Sequence, residues 1–150
     1  MTMKLKKTLQ IILALCLGLW MISCQQEHIK LTSPNGKLSL EFTLDEEGAP
    51  RYCLRHAGKN ILLPSRLGLV LKDAPDLLTG FVLKEVKHDS HNDVWQPVWG
   101  EEAEIVNHYN ELRVCLKEET SLERELNIIF RLFDDGMGSV SYTHLTLPTS

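Results

Sequence analysis

Downstream of its first two dozen residues the sequence keeps no apolar side chains at three-and-four spacing over any convincing length, which excludes amphipathic helices as the building unit. An excess of positive charge is missing too. The formal net charge is −4, and without Lys4, Lys6 and Lys7 of the basic start it is −7, so a surface that tracks a phosphate backbone is excluded and nucleic acid is not an expected partner. There is no internal repeat, low-complexity tract or Gly/Ser linker, and 150 residues at 43% hydrophobic and 24% charged allow one globular domain with a real core. No glycine-rich phosphate loop occurs, and no serine, histidine or aspartate sits in a nucleophile-elbow context. Cysteine is scarce: beyond Cys16 and Cys24 there are only Cys53 and Cys115, on separate expected strands, where thiols more often pack as small buried hydrophobes than as a bridge.

What is present begins with a leader. Lys4-Leu5-Lys6-Lys7 precedes an apolar run from Leu9 to Ile22, whose 14 residues would reach only ~21 Å as a helix, short of a ~30 Å hydrocarbon core. This reads as a signal peptide over residues 1–23. Ser23-Cys24, behind apolar residues, resembles the lipobox of bacterial lipoproteins, with Met21 where leucine is more usual. That resemblance implies acylation of Cys24, a linker over 24–28 and a lipid anchor in the outer membrane of a bacterial envelope, facing the periplasm or the surface.

The remainder alternates with period two between turn signals. Ile29 to Thr32 is an expected strand, and Ser33-Pro34-Asn35-Gly36 a tight turn. Leu38, Leu40, Phe42 and Leu44 alternate with Ser39, Glu41 and Thr43 on a second strand, and Arg51 to His56 forms a third. Ile61 to Leu63 should end at Pro64, Leu67 to Leu71 is a short apolar strand with Gly68 packed closely or bulged, and Phe81 to His88 is a further strand running into a polar loop, Asp89 to Asp93. The domain is therefore expected to be all-β, a two-sheet sandwich.

Chemistry-bearing residues cluster in Trp95-Gln96-Pro97-Val98-Trp99-Gly100-Glu101 and Asn107-His108-Tyr109-Asn110-Glu111-Leu112. Aromatic faces stack on sugar rings while carboxylates and amides orient hydroxyls, so the set suits carbohydrate; the alternative is that both tryptophans cap the sandwich core, which composition alone favours. The change of phase between Tyr109 and Leu112 suggests a bulge at Asn110-Glu111. Glu101, Glu104 and Glu111 are acid/base types, but no pair at the ~5–10 Å that glycoside cleavage requires can be assigned, so no catalytic residue is named. His88 and His91 with Asp89 and Asp93 have metal-ligand types, yet their spacing would bring both rings to one side only on a helix, and a solvated loop is expected.

Taken with Thr32-Ser33-Pro34-Asn35-Gly36-Lys37, Leu67-Gly68-Leu69 and Leu126 to Gly136, these blocks resemble, in order, the N-terminal domain of glycoside hydrolase family 97 over Ile29 to Gly138. The resemblance implies an incomplete N-terminal β-super-sandwich over 29–138, belonging to an exported α-glycosidase for α-linked glucosides or galactosides. A (β/α)₈ barrel would supply the catalytic carboxylates, with calcium near the sugar; neither would lie in this portion, which alone is not expected to be active. Trp99, Glu101, His108, Asn110 and Glu111 then become candidates for carbohydrate binding or for facing the barrel. The alternatives are a non-enzymatic carbohydrate-binding envelope lipoprotein and a structural envelope module. From Ser139 or Val140 the string Val140 to Thr149 resembles one frame of a transposon-end sequencing adapter, so residues 139–150 are expected to be non-native. With later strands missing, Leu126, Ile128, Phe130 and Leu132 are expected to form an exposed apolar face.

Overall fold

Alternating side chains need a second layer to cover one face, and the chain provides both layers itself. A computed structural model describes residues 28–144. The signal peptide expected over 1–23, the expected lipidation site Cys24 and the last six residues lie outside them. β1 (Ile29–Thr32), β2 (Leu38–Leu44), β3 (Pro50–His56) and β4 (Lys59–Arg66) form one antiparallel sheet in chain order. β5 (Phe81–Trp95), β6 (Ile105–Glu118), β7 (Glu125–Leu132) and β8 (Met137–His144) form the other, also in chain order.

The core lies between the two sheets. Leu38, Leu40 and Phe42 of β2 face Leu112, Val114 and Leu116 of β6 and Leu126, Ile128, Phe130 and Leu132 of β7 in a single buried cluster. Phe130 sits at its centre, with ring centroids 6.1 Å from Phe42 and 5.7 Å from Tyr52. Each fully buried side chain of this size contributes ~1.5–3 kcal/mol of transfer free energy. The apolar face expected to be exposed on β7 is therefore covered: all four of its residues are at most 1% accessible, because the first sheet supplies the opposing layer.

Turns follow the sequence signals with adjustments. Gly36 donates its N–H to the Ser33 carbonyl at 2.9 Å, and only Gly36 of the Asn-Gly pair takes a positive φ, of 71°. The β2–β3 turn is tied by Asp45, whose Oδ1 accepts from the N–H groups of Ala49 (2.9 Å) and Glu47 (3.1 Å). Gly48 takes φ 69° there, and a Cβ at this position would meet the Phe81 carbonyl oxygen at 2.6 Å, so the turn abuts the start of β5.

Three expectations change. Pro64 does not end β4; it lies within an edge strand, at a bulge where Cys53 of β3 faces two residues between the pairs Tyr52–Ser65 and Leu54–Leu62, so no ladder N–H is lost. Leu67–Leu71 is reduced to one bridge, Leu69 with Leu77, against which Gly68 packs too closely for a side chain. The polar segment Asp89–Asp93 is not a loop but the second half of β5, paired residue for residue with Asn107–Glu111. Arg124 pins the crossover to the second sheet, donating to both oxygens of Glu118 (2.7 and 2.8 Å) and to the Pro75 carbonyl (2.7 Å).

Met137 to Thr143 pair with Leu132 to Leu126, so paired side chains share a face. This puts Ser139, Ser141 and Thr143 on the side of Phe130, Ile128 and Leu126, and Val140 and Tyr142 on the outer side, 61% and 38% accessible. The polarity of β8 is inverted relative to its neighbours.

Candidate functional site

β5 and β6 are the longest strands, and they outrun their sheet. β7 pairs with β6 only from Asn110 onward, so Asn92–Trp95 and Ile105–His108 pair with each other alone. At ~3.3 Å per residue these form an arm extending ~10 Å before its loop. Its Val, Ile and Trp residues are β-branched and aromatic types that are enriched in strands. Gln96 donates to Glu104 at 3.3 Å across the base of the loop. Val94 and Val106 are paired and share one face, while Trp95 and Ile105 share the other. All four are open to solvent, and at the tip Val98 and Trp99 are about nine-tenths accessible. The tryptophans therefore do not cap the core: Trp95 is 49% and Trp99 90% exposed.

At the root of the arm a charged cluster occupies the outer face of the second sheet. Glu111 is wholly buried although it points away from the core, since Leu112 and Val114 alternate with it on the other side. The phase change read as a bulge is thus a strand buried on both faces; pairing runs unbroken through Asn110 and Glu111 on both neighbours. Glu111 accepts hydrogen bonds from Nε of Arg113 (2.5 Å) and Nε of Arg131 (2.6 Å). Burial pushes its carboxyl up, but the two guanidinium hydrogen bonds outweigh this and hold it below its ordinary value. Arg131 also lies 4.8 Å from the Tyr109 ring centroid, and Tyr109 stacks on His91 at 4.8 Å and meets Phe133 at 5.1 Å. A carboxylate held ionised between two arginines has no proton to give, and its lowered pKa makes it a weak base. Its role is to brace the arm.

The five candidate residues do not converge. Trp99 and Glu101 are in the exposed loop, His108 and Asn110 are half-buried on the inner side of β6, and Glu111 is on the outer side. Asn110 donates from Nδ2 to the Thr32 carbonyl at 2.8 Å, and His88 from Nε2 to the Lys30 carbonyl at 3.1 Å, so both are spent joining the sheets. An open cleft bounded by Lys30, Thr32, His88, Ser90 and Asn110 lies beside these bonds. His88 and His91 pair with Leu112 and Tyr109, on opposite faces, which rules out a shared metal. Among the described residues no group of three or more His, Cys, Asp or Glu side chains is placed to hold a metal ion. Cys53 and Cys115 are free thiols.

Arg113, Arg131 and the apolar pairs of the arm escaped notice in the sequence. An Arg-x-Glu alternation inverted as Glu111-Leu112-Arg113 was the available signal, since residues two apart on a strand share a face.

The description "Glycosyl-hydrolase 97 N-terminal" is that of the family model matched by residues 31–140. Among solved structures, the chain is similar to a Glycoside Hydrolase Family 97 enzyme from Pseudoalteromonas sp. strain K8 in complex with acarbose, at 25% identity and TM-score 0.70, covering 74% of this chain and 17% of that one. A variant of a Family 97 enzyme from the same strain, in complex with panose, gives 27% identity and TM-score 0.69 over the same shares. A beta-arabinopyranosidase gives 26% and 0.65, covering 73% and 17%.

Proposed function

Because the chain belongs to the glycosyl-hydrolase 97 N-terminal family, we propose that it is the supporting N-terminal domain of an exported glycosidase that cleaves α-linked oligosaccharides. The observation that carries this reading is the family match over residues 31–140, together with the 17% of each solved enzyme that the chain spans. Acid and base are assigned to polypeptide beyond these residues, as is the calcium that the family resemblance implies. The domain braces that polypeptide and cleaves nothing itself. Panose in the complex of one related enzyme supports an α-glucoside as substrate, while the beta-arabinopyranosidase widens the range of sugars to be assayed.

The leader adds export and a lipid anchor at Cys24 in the bacterial outer membrane. The inverted polarity of β8 supports the further proposal that residues from Ser139 or Val140 are not native. The test is the gene itself: resequencing through the Gly138 codon, expression of the complete product and assay on aryl α-glucosides and α-galactosides. A native stop codon just after Thr149, or a complete product inert on both substrates, defeats the enzyme reading. Membrane retention of Cys24→Ala defeats the anchor.

A second reading, a carbohydrate-binding lipoprotein, is favoured by the exposure of Trp99. It requires glycan binding by the isolated chain that Trp99→Ala abolishes.

A further inference from the structure

We infer that the β5–β6 arm is an insertion element, seated in a groove with an apolar floor and a basic rim on the polypeptide that follows this domain in the complete enzyme. The inference rests on the proposed function. Its first support is that the outer half of the arm is apolar on both faces: the Val94–Val106 pair on one side, the Trp95–Ile105 pair on the other, and Val98 and Trp99 at the tip, all six accessible. A sugar ring stacks on one aromatic face and needs partners for its hydroxyls, and a valine pair offers none. A two-sided apolar wedge matches a protein groove that closes around it.

Charge narrows the partner. Residues 89–106 contain five carboxylates, Asp89, Asp93, Glu101, Glu102 and Glu104, and no lysine or arginine. An acidic girdle around an apolar wedge is complementary to a rim of lysines and arginines. The arm is also braced in advance, by the Glu111 clamp and the Tyr109–His91 stack at its root, so docking orders little that is not already ordered.

Direction excludes a bilayer as occupant. Lys30 bonds to His88, and Thr32 to Asn110, the partner of Ser90, so β1 advances toward the arm as its numbers rise. The chain enters at the end of the sandwich remote from the tip. A lipid anchor at Cys24, as proposed above, would hold the domain by this end, with the arm at the other. The solved enzymes that this chain matches are about six times the span it covers, which supplies an occupant in the same polypeptide.

The experiment uses the complete enzyme with the photocrosslinker p-benzoylphenylalanine in place of Val106, of Trp99, or of exposed Lys72 as control. Crosslinks from positions 99 and 106 to peptides of the native polypeptide that follows Gly138, absent from position 72, are expected. Crosslinks only to a second copy, only to added maltooligosaccharide, or to nothing overturn the inference. Changing Glu101, Glu102 and Glu104 together to lysine is expected to lower the crosslink yield at least tenfold at low salt; an undiminished yield overturns the basic rim. Glycosidase activity measured on the same preparations separates the two claims: an active enzyme without crosslinks overturns the docking alone, and an inert product with the expected crosslinks overturns the enzyme reading alone.

Discussion

Arg131 donates to Glu111 at 2.6 Å while its guanidinium carbon lies 4.8 Å from the centroid of the Tyr109 ring, so one side chain on β7 holds both a buried carboxylate and a buried aromatic on β6. The pair joins the root of the arm to the next strand through residues 20 apart in sequence.

Removing the carboxylate should be costly. Glu111→Ala leaves Arg113 and Arg131 facing a cavity; breaking a fully buried pair costs ~3–5 kcal/mol, and since both arginines are about half exposed and can recover water, a loss of about 2 kcal/mol is expected in urea unfolding. A loss below about 0.5 kcal/mol would refute the bracing role.

Acid should destabilise the fold over a defined range. The Arg51 hydrogen bond, reinforced by the Ala49 N–H, lowers Asp45 from 3.8 to about 2. Glu118 is lowered by Arg124, and the Glu111 carboxyl is lowered as well. For each, the folded state binds its proton more weakly than the unfolded state. Their stabilisation is therefore present above the ordinary carboxylate values and lost as pH falls through the folded ones. Denaturation midpoints should drop between about pH 4.5 and 2. Asp45→Asn should flatten that slope, and an unchanged slope would remove Asp45 from the account.

Gly48→Ala combines a positive φ with a Cβ 2.6 Å from the Phe81 carbonyl oxygen. Both penalties fall on backbone, so a destabilisation of at least ~2 kcal/mol is expected by thermal melting.

Trp99→Ala, by contrast, deletes a side chain that is 90% exposed and should shift the stability of the isolated domain by less than ~0.5 kcal/mol. A larger loss would mean that the tip packs onto the domain.

Ending the chain at Gly138 removes the strand whose residues paired with Phe130, Ile128 and Leu126 are Ser139, Ser141 and Thr143, both serines being exposed. Little apolar burial goes with it, so residues 28–138 should retain a single cooperative unfolding transition. Insoluble or non-cooperative protein would show instead that β8 is required to cover the edge of β7.

Where apolar residues alternated, the strands were legible: Leu38 to Phe42 are buried as their spacing implies, and Leu126 to Leu132 share one face as read, although that face is covered rather than exposed. Asp89 to Asp93 was not, because a strand exposed on both faces has no hydrophobic period to read. Pro64 misled in the opposite sense, since only an edge position or a bulge tolerates it within a strand and neither is visible locally. At the candidate site, the phase change at Tyr109 was a real signal with the wrong cause. A glutamate is read as solvent-facing until the arginines that bury it, one of them on the next strand, are brought alongside. Composition alone favoured tryptophans that cap the core, and it is the projection of the hairpin that exposes them.

That projection decides what light the protein emits. Of its three tryptophans, Trp20 lies outside the described residues, and Trp95 and Trp99 are both on the arm, so among the described residues no indole lies in the interior. Intrinsic fluorescence should then start red-shifted, barely respond when the sandwich melts, and move to the blue when a surface closes over the arm.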